Sequence, residues 1–204
     1  MKAKIKRGSG FRGTLNYVLG KGDAEQVAGT MTGSDARLLA QEFGVLRQLR
    51  PDIERPVWHT ALALPPGESL DPERWAAVAS DFMERLGFDE RNAWTCWRHN
   101  DTEHDHIHIV ACRIGADGSV WLGRHDVRQA LKLTEELEVI HGLQRTKPYS
   151  PETANPCRQP TKAEIEHAIR THEQPARTQI QAALDRALSD RPNVMGLMDR
   201  LEAA

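Results

Sequence analysis

Over about residues 1 to 145, apolar positions recur in two rhythms, and the switches between them predict the elements. Lys2 to Arg7 alternates charged and apolar residues, with Ala3 and Ile5 between lysines; this is a half-buried strand, broken at Gly8-Ser9-Gly10. Phe11, Leu15, Val18 and Leu19 then recur at helical spacing until Gly20-Lys21-Gly22. Gln26 to Thr32 predicts a short strand, and Ser34 caps a helix to Leu49 whose stripe is Leu38, Leu39, Phe43, Leu46 and Leu49. Pro51 stops it. Pro56 to Leu64, with Val57, Trp58 and Thr60, favours a pleated strand before the turn Pro65-Pro66-Gly67-Glu68. Asp71 as cap and Pro72 at the first helical position open a helix to about Leu86, with Trp75, Val78, Ala79, Phe82 and Leu86 inward and Gly87 at its end.

Asn92 to His99 and His106 to Ile114 are both strand-like, and Ala116-Asp117-Gly118 marks a hairpin turn before Ser119 to Leu122. A helix over Asp126 to His141, with Val127, Leu131, Leu137 and Ile140 among its apolar positions, closes at Gly142. Pro148, Pro151, Pro156 and Pro160 give the next stretch the composition of a linker. The capping box Thr161-Lys162-Ala163-Glu164 opens two or three helices, interrupted at Pro175 and Arg191-Pro192-Asn193. The pattern therefore predicts a mixed helix-and-strand domain at residues 1–150 and a helical segment at 151–204.

Composition adds limits. A chain of 204 residues that is 39% hydrophobic can build one sizeable core. No apolar run reaches the roughly 18 residues that cross a bilayer, and Met1 to Arg7 lacks the apolar region of a signal peptide, so a cytoplasmic protein without membrane insertion is expected. Cys96, Cys112 and Cys157 are too few and too scattered for a disulfide framework and read as reduced thiols. The net charge of -2 argues against a nucleic-acid binder if charge is evenly spread. It is not: Lys2, Lys4, Lys6, Arg7, Arg12 and Lys21 all precede the first acidic residue, Asp23, which makes a basic patch of one end of the chain.

The candidate chemistry lies in His99-Asn100-Asp101-Thr102-Glu103-His104-Asp105-His106-Ile107-His108-Ile109-Val110. On a strand, His106 and His108 share one face while Ile107 and Ile109 point into a core. A histidine-rich strand with a solvated face needs no metal. Here, however, pairing of the two strands across a connection of six residues brings His99 to the other two rings, and three imidazoles with carboxylates nearby suit a divalent cation with open positions. Asp101 is placed to orient a ligand ring through its second nitrogen, His104 is either a further polar group or solvated, and His59 is either a group behind a ligand or a core histidine, the core reading being favoured. Tyr17, considered alone, is a core-edge tyrosine.

The histidine run resembles the motif of the relaxase/mobilization nucleases, plasmid-transfer members of the His-hydrophobe-His endonucleases. Three further stretches agree in order: Leu15-Asn16-Tyr17-Val18-Leu19 resembles the segment with the family's nucleophilic tyrosine, Trp58 to Glu68 its second motif, and Glu136 to Leu143 the end of the domain. The resemblance covers about residues 1 to 145. It implies an α+β fold, a central antiparallel sheet with the two-histidine strand in the middle and flanking helices, followed by the helical C-terminal segment. It also implies Tyr17 as nucleophile, and His99, His106 and His108 as ligands of a divalent ion, magnesium or manganese.

The implied activity is a strand-specific nicking and joining reaction at a plasmid transfer origin in a bacterial cytoplasm. Attack by Tyr17 leaves a 5′-phosphotyrosine and frees a 3′-hydroxyl, conserving the bond energy for rejoining. A phenol is mostly protonated at neutral pH, so attack needs positive charge nearby, from the metal and from Lys6, Arg12 or Lys21. Single-stranded DNA is expected across the histidine face of the sheet, with Arg98, Arg113 and Arg124 meeting phosphates and Trp94, Trp97 and Trp121 as candidates for base stacking, although tryptophans are more often core. Accessory relaxosome proteins and a coupling protein are the expected partners. Two alternatives stay open: a replication initiator or transposase of the same superfamily, in which the tyrosine follows the histidine motif as Tyr149 does, and a non-catalytic, metal-stabilised DNA-binding module.

Overall fold

In a computed structural model, which describes residues 1–20, 24–146, 162–188 and 194–202, the period-two stretches pair into one sheet. Its strands are β1 (Lys2–Gly8), β2 (Glu25–Gly29), β3 (Val57–Ala63), β4 (Trp94–His99) and β5 (His106–Cys112), in the order β1-β3-β5-β4-β2 with every neighbouring pair antiparallel. Four helices flank it: α1 (Phe11–Leu19), α2 (Ala36–Leu49), α3 (Pro72–Arg85) and α4 (Asp126–Ile140). This is the expected α+β fold, with the two-histidine strand in the middle.

Because β5 has neighbours on both sides, it is buried along its whole length. Its alternate residues feed two cores. Ile107, Ile109 and Ala111 join Trp58, Leu62 and Cys96 against Trp75, Phe82 and Leu137 of α3 and α4. Val110 and Cys112 face the other way, joining Val57 and Trp97 against Phe11, Leu15, Val18, Leu39 and Phe43 of α1 and α2. The rings of Phe11 and Phe43 stack at 4.4 Å. A helix as short as α1 is not stable alone. Burying Leu15, Val18 and Phe11, at about 2 kcal/mol per side chain, is what holds it on the sheet.

The cap of α2 differs from expectation. Asp35, not Ser34, is the N-cap, accepting from the backbone N–H groups of Arg37 (2.7 Å) and Leu38 (2.9 Å), since a carboxylate takes two donors and favours the positive end of the helix. Those two bonds hold its carboxyl below the ordinary range, with Arg12 and Arg37 adding to the effect. The stripe is narrower than expected: Leu39 and Phe43 are buried, while Leu38 and Leu49 are exposed, because α2 meets the rest of the domain along one edge. In α4, Val127 and Ile140 are exposed and the buried stripe is Ala130, Leu133, Thr134, Leu137 and Glu138. Buried polar groups set that rotation: Asp126 accepts from Arg7 Nη2 (2.9 Å) and Trp58 Nε1 (3.1 Å), and Glu138 is ion-paired to the amino group of Met1.

Asp71 caps α3 through Arg74 N at 2.7 Å, and Gly87 follows with the positive φ of 88° that glycine tolerates best. The chain divides into two compact units, Met1–Pro148 and Tyr149–Ala204. The second contains α5 (Lys162–Thr171), α6 (Ala176–Ala187) and α7 (Val194–Glu202). The proline linker, Tyr149, Cys157 and Thr161 of the capping box lie outside the described residues. Among those described, no helix is long and apolar enough to cross a membrane.

Candidate functional site

The hairpin of β4 and β5 builds the centre of the site. Its register sets His99 directly opposite His106, with His108 two residues further on the same face. All three imidazoles are buried, their ring centroids 4.6 to 5.3 Å apart. One nitrogen from each converges within 4.8 Å of the others, and among the described residues they form the group fitted to hold a metal ion. Three neutral imidazoles are a donor set for a divalent cation, so the residues fit the ion that the sequence implied.

Backbone and neighbouring rings orient the ligands. His106 Nδ1 lies 2.9 Å from the His104 carbonyl, to which it donates, leaving Nε2 as the electron-pair donor. His104 acts through that carbonyl; its own side chain is exposed. At His106 the ring-orienting bond thus comes from a backbone carbonyl. Asp101 Oδ1 stands 3.6 Å from His106 Nε2, the metal-side nitrogen, so its charge lies beside the prospective cation rather than behind the ring.

Asp105, one residue before His106, faces the opposite side of the sheet. Its carboxylate accepts from Arg98 Nε (2.9 Å) and Nη2 (3.1 Å), Leu70 N (2.8 Å) and Trp75 Nε1 (3.0 Å), and its carbonyl accepts from Leu64 N (3.0 Å). This pins the 100–105 connection to α3 and the end of β3. No local pattern in the sequence marks Asp105 for this role, since three of its partners come from segments about thirty or more positions away.

Two residues distant in sequence complete the cluster. His59 of β3 is half-buried, with Nε2 3.0 Å from His108 Nδ1 and the two rings stacked at 5.2 Å. It belongs to the histidine cluster rather than to an apolar core, which corrects its reading from sequence. Burial, with the charges of Lys6 and His99 adding, lowers its pKa to about 4, so the ring is neutral at ordinary pH. Tyr17 projects from α1, 55% exposed, with its ring edge-on to His108 at 5.9 Å and to His59 at 6.3 Å.

Beyond the histidines the same face continues onto β3 and β1. Lys6 pairs with His59, Lys4 with Ala61 and Lys2 with Ala63, while Ala61 and Ala63 pair in turn with His108 and His106. The three lysines are exposed and the alanines are small. The result is a shallow cationic floor beside the imidazoles.

The other expected phosphate contacts fall elsewhere. Arg98 neighbours His99 in the strand, so it points to the opposite face, where Asp105 takes its charge. Arg113 donates to the carbonyls of Arg55 (2.9 Å), Trp121 (3.1 Å) and Leu122 (3.4 Å), on the same side as Arg7 and Asp126, and is a structural group. Arg12 is exposed on α1, five positions before Tyr17 and off that residue's side of the helix. Lys21 lies outside the described residues, and Arg124 is exposed after the hairpin. Trp94 and Trp97 are buried, and Trp121 stacks on Phe88 at 4.2 Å, so all three serve the cores.

A sheet that presents three convergent imidazoles beside a phenol and a row of lysines is the equipment of a phosphoryl-transfer enzyme acting on nucleic acid. Residues 17–143 match the family described as relaxase, MobA/VirD2-like, nuclease domain, and the chain belongs to that family of DNA-nicking relaxases. The matched stretch opens on Tyr17 and ends on Leu143, enclosing the histidine triad. A search of curated proteins finds no match to the chain.

Proposed function

We propose that the chain nicks one strand of a plasmid transfer origin by transesterification at Tyr17 and rejoins it by the reverse reaction. The observation that carries this reading is the edge contact between the Tyr17 and His108 rings, across about ninety positions of sequence. The phenolic oxygen attacks phosphorus as the phenol gives up its proton. The Oη–P bond forms, the bond to the 3′ oxygen breaks, and that oxygen leaves with the electron pair to become a 3′-hydroxyl. The 5′-phosphate remains on Tyr17.

His99, His106 and His108 would hold magnesium or manganese, which supplies positive charge to the non-bridging oxygens of the scissile phosphate. Because all three ligands are neutral, the Asp101 carboxylate beside them would be the nearby negative charge that offsets the cation, and the remainder would act on the substrate. Lys2, Lys4 and Lys6 give the flanking single strand a cationic track across Ala61 and Ala63. Arg12 and Lys21, which flank the Tyr17 segment in sequence, are further candidates for phosphate contacts. The nuclease unit occupies about residues 1–150, and the helical segment after it offers a surface for relaxosome or coupling proteins. Tyr17 precedes the histidine motif, which favours a relaxase over a replication initiator or transposase.

The test is a supercoiled plasmid carrying the cognate origin, incubated with magnesium or manganese and resolved after protein denaturation. The parent should relax it and stay covalently attached, with the DNA-linked peptide containing Tyr17. Tyr17→Phe should give no adduct and lose at least about a thousandfold in nicking, with unfolding unchanged because the hydroxyl belongs to a half-exposed ring. An adduct on Tyr149, or undiminished nicking by Tyr17→Phe, would refute it.

A further inference from the structure

Beyond its three converging histidines, the site contains a fourth imidazole whose position in the sheet gives it a specific task. His59 lies directly across from Val110, and it reaches diagonally to His108, which itself faces Ala61. Ala61, on the same face and two residues along β3 from His59, has no side chain beyond Cβ to come between the two rings. The result is the 3.0 Å contact of His59 Nε2 with His108 Nδ1, the planes only 30° apart.

Such a contact between two neutral imidazoles needs one donor and one acceptor. If His108 is to offer an electron pair from Nε2, its proton must be on Nδ1. His108 then donates, His59 Nε2 accepts, and the proton of His59 sits on its own Nδ1. His106 follows the same rule, its Nδ1 proton being taken by the His104 carbonyl.

We propose that His59 is a positioning residue of the centre: by accepting the Nδ1 proton of His108, it locks that ring in the tautomer and plane that present Nε2 to a divalent cation. This rests on reading the triad as a metal centre. The choice of a neutral imidazole has its own consequence. A carboxylate would hold His108 equally well, but would add a negative charge between the cation and the Lys6 edge of the floor, where DNA phosphates must approach.

The test uses the full chain and Mn2+ alone, with affinity measured by calorimetry at constant pH. Glutamine can place an acceptor oxygen where His59 has Nε2; asparagine reaches only the Nδ1 position, and leucine offers no acceptor. His59→Leu and His59→Asn should bind Mn2+ about 10- to 100-fold more weakly than the parent, and His59→Gln within about threefold of it. His59→Glu should bind Mn2+ at least as tightly as the parent while binding single-stranded DNA less well. Urea unfolding in a chelator establishes that each variant is folded.

A second readout needs no metal: 15N spectra of the chelated parent report which nitrogen of His108 carries the proton, and Nδ1 is expected. Leucine binding Mn2+ as the parent does, glutamine binding as poorly as leucine, or a parent His108 protonated on Nε2 would each overturn the role of His59. A parent that binds no Mn2+ at all would instead overturn the metal reading beneath it, while the spectra would still decide the direction of the hydrogen bond.

Discussion

Removing the carboxylate of Asp105 tests how the chain holds the entry to its histidine strand. Asp105→Ala deletes the acceptor of four hydrogen bonds, two from Arg98 and one each from Leu70 N and Trp75 Nε1. The Asp105 side chain is 6% exposed and that of Arg98 16%, so both charges are largely out of water. Each donor left unsatisfied costs about 1–3 kcal/mol, and breaking a buried ion pair from one side costs about 3–5 kcal/mol. These do not add, because Arg98 can swing part of its guanidinium into solvent and the indole can find water. The expected loss is therefore about 3–5 kcal/mol in all. Asp105→Asn retains one acceptor oxygen and should lose about half as much. The assay is urea unfolding followed by tryptophan fluorescence, in a chelator so that metal binding does not contribute. The six-residue connection 100–105 should also loosen, so Mn2+ affinity should fall even though Asp105 lies on the opposite face from the histidines. A loss below about 1 kcal/mol for the alanine variant would refute the reasoning, since the network would then not be worth its geometry. Pairing can be separated from the other bonds by the double variant Arg98→Met with Asp105→Leu, which should recover the share due to the unpaired Arg98 charge but not that of Leu70 N and Trp75 Nε1, whose acceptor stays deleted.

Two further outcomes follow from the electrostatics. Lys4→Glu, in the middle of the cationic floor, should weaken binding of single-stranded DNA and flatten its dependence on log salt by about 0.7 for each phosphate no longer neutralised, measured by fluorescence anisotropy. An unchanged slope would mean that the strand does not cross β1. Burial raises the pKa of both the Cys96 and Cys112 thiols, that of Cys112 to about 11. A thiol whose pKa is raised stays protonated as pH rises until that value is approached, so at pH 8 neither should react with a disulfide reagent until the protein is unfolded. Peptide mass spectrometry after labelling reads this, and fast native labelling at either position would contradict the burial.

What the sequence alone determined follows from short-range rules. The alternation in β1, β3 and β5, the helical spacing of α1 and α3, and the cap at Asp71 are written in neighbouring residues, and the elements formed where they were expected. The triad was legible for the same reason: a hairpin with a six-residue connection can pair only nearby registers, so His99 had to meet His106. Strand parity also dictates which way Arg98 points, one residue from His99, and that parity rules out the phosphate contact expected of it. Ser34 against Asp35, and Leu38 and Leu49 against the true stripe of α2, lay beyond local pattern, because either residue can cap and only packing shows which side is covered.

The sheet order decided the rest. No local signal says that β3 sits between β1 and β5, and it is that order which lays His59 diagonally across from His108 and sets Lys2, Lys4 and Lys6 beside the imidazoles. The placement of Tyr17 is likewise tertiary. The family resemblance pointed to it, but the physical cause is the burial of Phe11, Leu15 and Val18 on one side of a nine-residue helix, which leaves the phenol facing the histidines. Sequence could specify the chemical groups because reactivity belongs to side chains; their convergence depended on long-range pairings whose energy exists only once the whole sheet has formed.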